Sequence, residues 1–195
     1  MPTSKERIGS WFNPGLVIAA ILGVLLVALR LEGRRWWCAC GQGFLWVSSA
    51  WSEHTSQHLF DPYTFTHFLH GFVFWWMLSY RAKPARHRWL FVAAVAIEVL
   101  WEIFENSSFA IERYRAATAA IGYSGDSLLN SLCDVMSCAA GFVAAQRLGW
   151  RWALIVFVLL ELALGFWIRD GLTLNVLMLL CPNPALKAWQ VGAGG

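Results

Sequence analysis

Charge is what this sequence of 195 residues has least of: Asp, Glu, Lys and Arg make up only 14% of it. An ordinary soluble domain carries about 25%, so the deficit argues against a water-exposed globule. Neither sign dominates. Lys+Arg 15 against Asp+Glu 12 gives a net charge of +3, too slight a bias for a nucleic-acid partner. Five cysteines are too few for a disulfide-built secreted module. No P-loop, zinc-finger, Gly-x-Ser-x-Gly or His-Glu-x-x-His pattern occurs, which removes the enzyme classes those motifs define. Low complexity, heptads and internal repeats are also missing.

Apolar residues fill the space left by charge. They account for 58% of the chain, with 13 Trp and 13 Phe and a mean hydropathy of +0.51. A membrane-crossing helix needs roughly 20 mainly apolar residues, and five stretches qualify, near 14–31, 63–80, 88–106, 126–147 and 151–168. The expectation is an all-α, polytopic membrane protein forming one integral domain over 1–195, with the lipid bilayer as its first partner. The first span has the basic start of a signal peptide, with Lys5 and Arg7, but no small-residue cleavage site after it. That pattern predicts a retained anchor. Arg81, Lys83, Arg86 and Arg88 fill one short loop without an acid, and Arg147 and Arg151 flank another. The positive-inside rule then puts these loops and the N-terminus in the cytoplasm. Trp75, Trp76, Tyr80, Trp89, Trp150 and Trp152 fall at the inner boundary, and Trp36, Trp37 and Trp167 at the outer one, as headgroup anchors do. The stretch Leu172–Cys181, apolar but short and stopped by Pro182, predicts an interfacial or re-entrant segment.

Ionisable residues within spans are costly and therefore informative. Asp61-Pro62 reads as an N-cap and first helical proline, followed by Tyr63, His67 and His70 within an arc of roughly 60°. Glu98, Glu102 and Glu105 share a face of similar width, and Asp126, Asn130 and Asp134 share one of roughly 80°. In the expected topology all of them lie toward the outer membrane surface, and the inner halves of the same helices carry no ionisable residue. Carboxylates crowded in an apolar site require a bound cation, shared protons or arginine partners such as Arg113, Arg115 and Arg169. Two histidines among carboxylates suit a divalent zinc, manganese or iron ion. On the metal reading, His67, His70, Glu102 and Asp134 hold the ion and Glu98 or Glu105 acts as general base. His58, Tyr63, Arg113, Arg115, Asp126, Asn130 and Arg169 contact a lipid or lipid-linked substrate. A membrane hydrolase or transferase follows; a structural, assembly or ligand-binding protein is the alternative. Neither oligomeric state nor substrate is encoded in any motif. Glu161 lies mid-span without an evident partner, and Cys38, Cys40, Cys133, Cys138 and Cys181 show no spacing that requires a disulfide. His54 reads as an outer-loop histidine over the cavity.

The stretches Ser56-Gln57-His58-Leu59, Tyr63 to Gly71 with His67-x-x-His70, Trp101-Glu102-x-x-Glu105-Asn106 and Arg113-Tyr114-Arg115 resemble uncharacterised protein family 0314. The same holds for Tyr123-x-Gly125-Asp126-Ser127-x-x-Asn130-Ser131-x-x-Asp134 and for Arg169 through Met178. Those proteins are bacterial multi-pass membrane proteins. The resemblance, spanning about residues 45 to 182, implies a cell inner-membrane location and a common site for the motif residues, and it implies no activity. Gly171 stands where such proteins are expected to carry Asn, and His54 lies outside the motif.

Overall fold

The computed structural model describes residues 13–80, 87–118, 120 and 122–192. Arg81, Lys83 and Arg86, like Lys5 and Arg7, lie outside the described residues. Among those described the chain is helical: α1 Pro14–Leu31, α2 Thr64–Ser79, α3 His87–Glu105, α4 Ser108–Ala117, α5 Leu128–Trp167, α6 Leu172–Leu180 and α7 Pro184–Val191. Two of them are long and apolar enough to cross a membrane, α1 with a mean hydropathy of 2.4 and α5 with 1.8.

Helix α5 is not one rod. Gly149 sits at φ 72, ψ 169, a region that needs glycine, and the chain reverses there. Phe72 of α2 packs against both Ala145 before the break and Ala153 after it, so the two halves form a hairpin along α2. This reproduces the turn expected between the last two spans. Trp76 of α2 meets Trp150 and Phe157 at centroid distances of 6.4 and 5.4 Å, so it packs between helices.

The most extensive helix contact is α2 against α5, and two glycines make it possible. A Cβ added at Gly71 would lie 2.1 Å from the Cys138 carbonyl oxygen, and one at Gly141 would lie 1.9 Å from that of Phe68. The backbones therefore touch, as small residues permit between membrane helices. A second apolar cluster joins Leu25 and Leu29 of α1 to Val95 and Val99 of α3 and Leu128 and Val135 of α5.

Two local expectations change. Asp61 does not cap α2, whose N-cap position is Tyr63. Its Oδ1 instead accepts the Tyr63 N–H at 2.7 Å and its Oδ2 the Ser56 N–H at 2.7 Å, closing the turn that precedes the helix. Glu161 does have partners: its two carboxylate oxygens accept the N–H groups of Leu172 and Thr173, each at 2.8 Å. A mid-helix acid thus caps the start of α6, where the helix dipole favours negative charge. A Cβ at Gly171 would come within 3.0 Å of Glu161 Oε1, so the glycine leaves room for this cap.

Substituting Gly141→Ala drives a methyl into the Phe68 carbonyl and is expected to cost about 1–3 kcal/mol, read as a lower thermal midpoint in detergent. Gly23→Ala, with nothing within 4 Å of the new methyl, should be neutral or gain up to about 1 kcal/mol. Equal behaviour of the two variants would contradict the backbone contact.

Candidate functional site

Helix α2 enters where α3 ends and α5 begins, so the polar faces of the three helices meet. Glu98 of α3 is fully buried. Its Oε1 takes the His67 Nδ1 at 2.7 Å, and Oε1 and Oε2 take the His70 Nδ1 at 3.0 and 2.9 Å. With Nδ1 of each ring assigned as the donor to Glu98, Nε2 is the nitrogen left for a further partner. Glu102 lies one turn on, also fully buried, with Oε1 3.2 Å from His67 Nδ1. That approach is an ion-pair distance without a hydrogen bond, since the ring's one Nδ1 hydrogen faces Glu98. Both oxygens of Glu102 are without a hydrogen-bond partner, as are Glu105 Oε2, Asp134 Oδ1 and Ser131 Oγ.

Of these, His67, His70, Glu105 and Asp134 border a cavity of about 50 Å³ that Tyr63 and Asp126 also line, while Glu98, Glu102 and Ser131 stand outside its lining. It admits an ion and a little water but not a lipid headgroup. Ser56, Tyr63, Ala120 and Tyr123 also line a wider space of about 500 Å³ that includes Trp51, Glu53 and Gln57. The small chamber therefore communicates with a vestibule under the 45–60 segment. Asp126 is held at the neck by Asn106 Nδ2 at 2.9 Å and the Tyr123 hydroxyl at 3.0 Å, while its own N–H donates to Asn106 Oδ1. Capping of α5 falls to Ser127, which leaves the Asp126 carboxylate to the site. The Tyr63 hydroxyl donates to Asp170 Oδ2 at 3.3 Å. Burial raises Asp170 to about 6, opposed by the Gly171 N–H and by Tyr63.

Two donor sets have one ligand atom per residue within 4.8 Å of the others: His67, His70 and Glu98, and His67, Glu102 and Glu105. In the second, both Glu102 oxygens and Glu105 Oε2 are without hydrogen bonds, whereas Glu98 has both oxygens engaged by imidazoles. Asp134 lines the same cavity and joins neither set.

Other expected residues stand elsewhere. Arg113 donates through Nε and Nη2 to the Leu179 carbonyl at 2.9 and 2.6 Å, tying α4 to α6. Arg115 donates to the Tyr123 carbonyl at 2.5 Å. Arg169, at φ 52, donates to the Trp189 carbonyl at 2.9 Å and lies over that indole. None of the three lines the cavity, and each is satisfied by backbone, so none neutralises the carboxylates. Among the described residues the only ion pairs are His67 with Glu98 and Glu102, and His70 with Glu98. Asn130 is buried, with its amide 3.4 Å from the Leu59 carbonyl, outside the cavity lining. His58 is buried in the segment between α1 and α2 beside Cys40, with Nε2 3.6 Å from Sγ. Asn106, Tyr114 and Tyr123 were not singled out as site residues by sequence. Asn106 and Tyr123 fall inside the family motifs, and the Tyr114 phenol bonds Glu105.

A family model described as "Protein of unknown function (DUF2585)" matches residues 29–192. A UPF0314 protein of Rhizobium meliloti is 46% identical over 190 residues, covering 96% of this chain and 94% of that one. The chain belongs to the UPF0314 family. Further UPF0314 proteins match at 41% identity in Brucella anthropi, over 97% of this chain and 96% of the relative, and at 44% in Sphingopyxis alaskensis, over 95% and 99%. No solved structure matches this UPF0314 chain.

Proposed function

We propose that this UPF0314 protein is a multi-pass inner-membrane hydrolase or transferase that uses a divalent metal on a lipid or lipid-linked substrate. The observation that carries the reading is the set of buried, unpartnered carboxylate oxygens on Glu102, Glu105 and Asp134 beside two imidazoles fixed by Glu98. Buried carboxylates without donors are strongly unfavourable, and a zinc, manganese or iron ion would satisfy them. His67, Glu102 and Glu105 are the proposed ligands, with His70 beside them. Glu98 is assigned to holding the two rings, as acids behind metal-binding histidines commonly do. Bound there, such an ion supplies Lewis acidity and a water of lowered pKa. Asp134, across the chamber, takes the role of general base first expected of Glu98 or Glu105. Tyr63, Asp126 and Tyr123 line the neck through which the reacting end of a substrate reaches the chamber, its bulk staying in the vestibule.

A membrane setting is supported by burial. The most apolar windows of α1 and α5 are only 11% buried, whereas a soluble protein's core helix is mostly buried. Leu16, Val24, Val27 and Leu31 on α1, and Leu159, Leu162 and Phe166 on α5, face outward, apolar surface that lipid would cover. We propose five spans, counting α5 as two, with α2 and α3 completing the bundle and the N-terminus in the cytoplasm.

Purified without chelator, the protein should carry zinc, manganese or iron by elemental analysis, and Glu102→Gln should lose one equivalent while remaining folded. Asp134→Asn should retain the metal and fail to complement a null strain. Full complementation by Glu102→Gln, or unchanged metal content, would overturn the reading.

Orientation is tested on a cysteine-free background. A cysteine placed at 83 should be shielded from an impermeant thiol reagent in intact cells, and one at 53 should label. The reverse pattern would put the cavity on the cytoplasmic side.

A further inference from the structure

The segment between α1 and α2 runs from Glu32 to Tyr63 with almost no regular structure. One isolated bridge pairs Trp46 with Phe60. Irregular connections of this length are uncommon and need something to hold them. Within it lie Cys38, Cys40, His54 and His58, whose ligand atoms all fall within 4.8 Å of one another. Cys38 Sγ is 3.5 Å from His54 Nδ1, and Cys40 Sγ is 3.6 Å from His58 Nε2. Zinc bonds sulfur at about 2.3 Å and imidazole nitrogen at about 2.0–2.1 Å, so a tetrahedral angle puts S and N about 3.6 Å apart. Both sulfur–nitrogen pairs have that separation.

The surroundings fit liganded thiolates. Cys40 N–H donates to Cys38 Sγ and Gln42 N–H to Cys40 Sγ, each at 3.4 Å, and N–H bonds favour the charged form of sulfur. Gly41, at φ 70, makes the turn that aims these amides back. The rings are held edge-on: Trp37 against His58 at 5.0 Å, Phe44 against His54 at 5.7 Å. A solvent-open space of about 590 Å³, lined by Cys38, Cys40, His54 and Glu53, gives access. Arg34 and Arg35 also line it; the Arg34 guanidinium is engaged by the carbonyls of Glu32 and Ser124. Two contacts run the other way: Cys40 Sγ lies 3.9 Å from the Gln42 carbonyl, where a liganded thiolate has no proton to donate, and Phe44 N–H lies 3.4 Å from His58 Nδ1. A ring bound through Nε2 carries its proton on Nδ1, so the liganded form gives up both long contacts.

We propose that Cys38, Cys40, His54 and His58 bind one tetrahedral zinc ion that staples the 32–63 segment over the mouth of the cavity. The staple brackets Ser56, which lines the cavity and accepts Ser127 N–H through its carbonyl at 2.8 Å. Zinc here thus fixes part of the neck, and the site stands whether or not the inner chamber holds a metal.

The test uses full-length protein in detergent, stripped with chelator under reducing conditions and titrated with Co(II). One equivalent should produce the intense visible bands of a tetrahedral ion together with a near-ultraviolet thiolate-to-cobalt charge-transfer band. Zinc should bleach both and raise the thermal midpoint. Cys38→Ser with Cys40→Ser should abolish the charge-transfer band, and His67→Ala with His70→Ala should keep it. Cobalt binding without that band would overturn the proposal, because the inner chamber has no thiolate among its donor sets. So would isolation of a metal-free protein with Cys38 and Cys40 joined in a disulfide.

Discussion

A carboxylate with no exposed surface among apolar helices is stabilised where donors meet it, and Glu98 is met by two imidazoles from a neighbouring helix. That arrangement sets much of the architecture. It fixes the rotation of α2 against α3, because His67 and His70 must both turn their Nδ1 atoms to one side chain. Charge-assisted bonds of this kind contribute about 1.5–3 kcal/mol each, and breaking such a pair in a low-dielectric site costs more than that. The close approach at Gly71 and Gly141 brings α5 near enough for Asp134 to share the chamber. Any side chain at either glycine would push Asp134 away from the histidines.

The acids nearest this pair are left in a different condition. Glu102 has the same burial as Glu98 and no hydrogen bond on either oxygen. The contrast within one helix face separates a carboxylate that positions from carboxylates that wait for a cation or a proton. Asn106, Tyr114 and Tyr123 hold the flanking acids by ordinary hydrogen bonds.

Periodicity made the shared faces of His67 and His70, of Glu98, Glu102 and Glu105, and of Asp126 and Asp134 legible in the sequence, because α-helical spacing is local information. Helix limits were legible for the same reason, including the turn between 147 and 151, where the break falls at Gly149. What depended on partners distant in sequence was not. The two N–H groups capped by Glu161 lie across a loop, and arginines that looked like counter-ions bond backbone carbonyls, which carry no sequence signature. The Cys38-x-Cys40 and His54-x-x-x-His58 pairs sit in an irregular segment, where periodicity says nothing about which side chains meet. Membership of the UPF0314 family accounts for the motifs without assigning them a reaction.

The central claim is that a metal occupies the chamber that Glu98 builds. An anomalous difference map, collected on crystals of protein purified without chelator at the edge of the metal found in it, tests this directly. The account predicts a peak within bonding distance of His67, Glu102 and Glu105, with Glu98 still spanning the two Nδ1 atoms. A chamber without a peak, in which the oxygens of Glu102 and Asp134 are satisfied by protons and water alone, would contradict it.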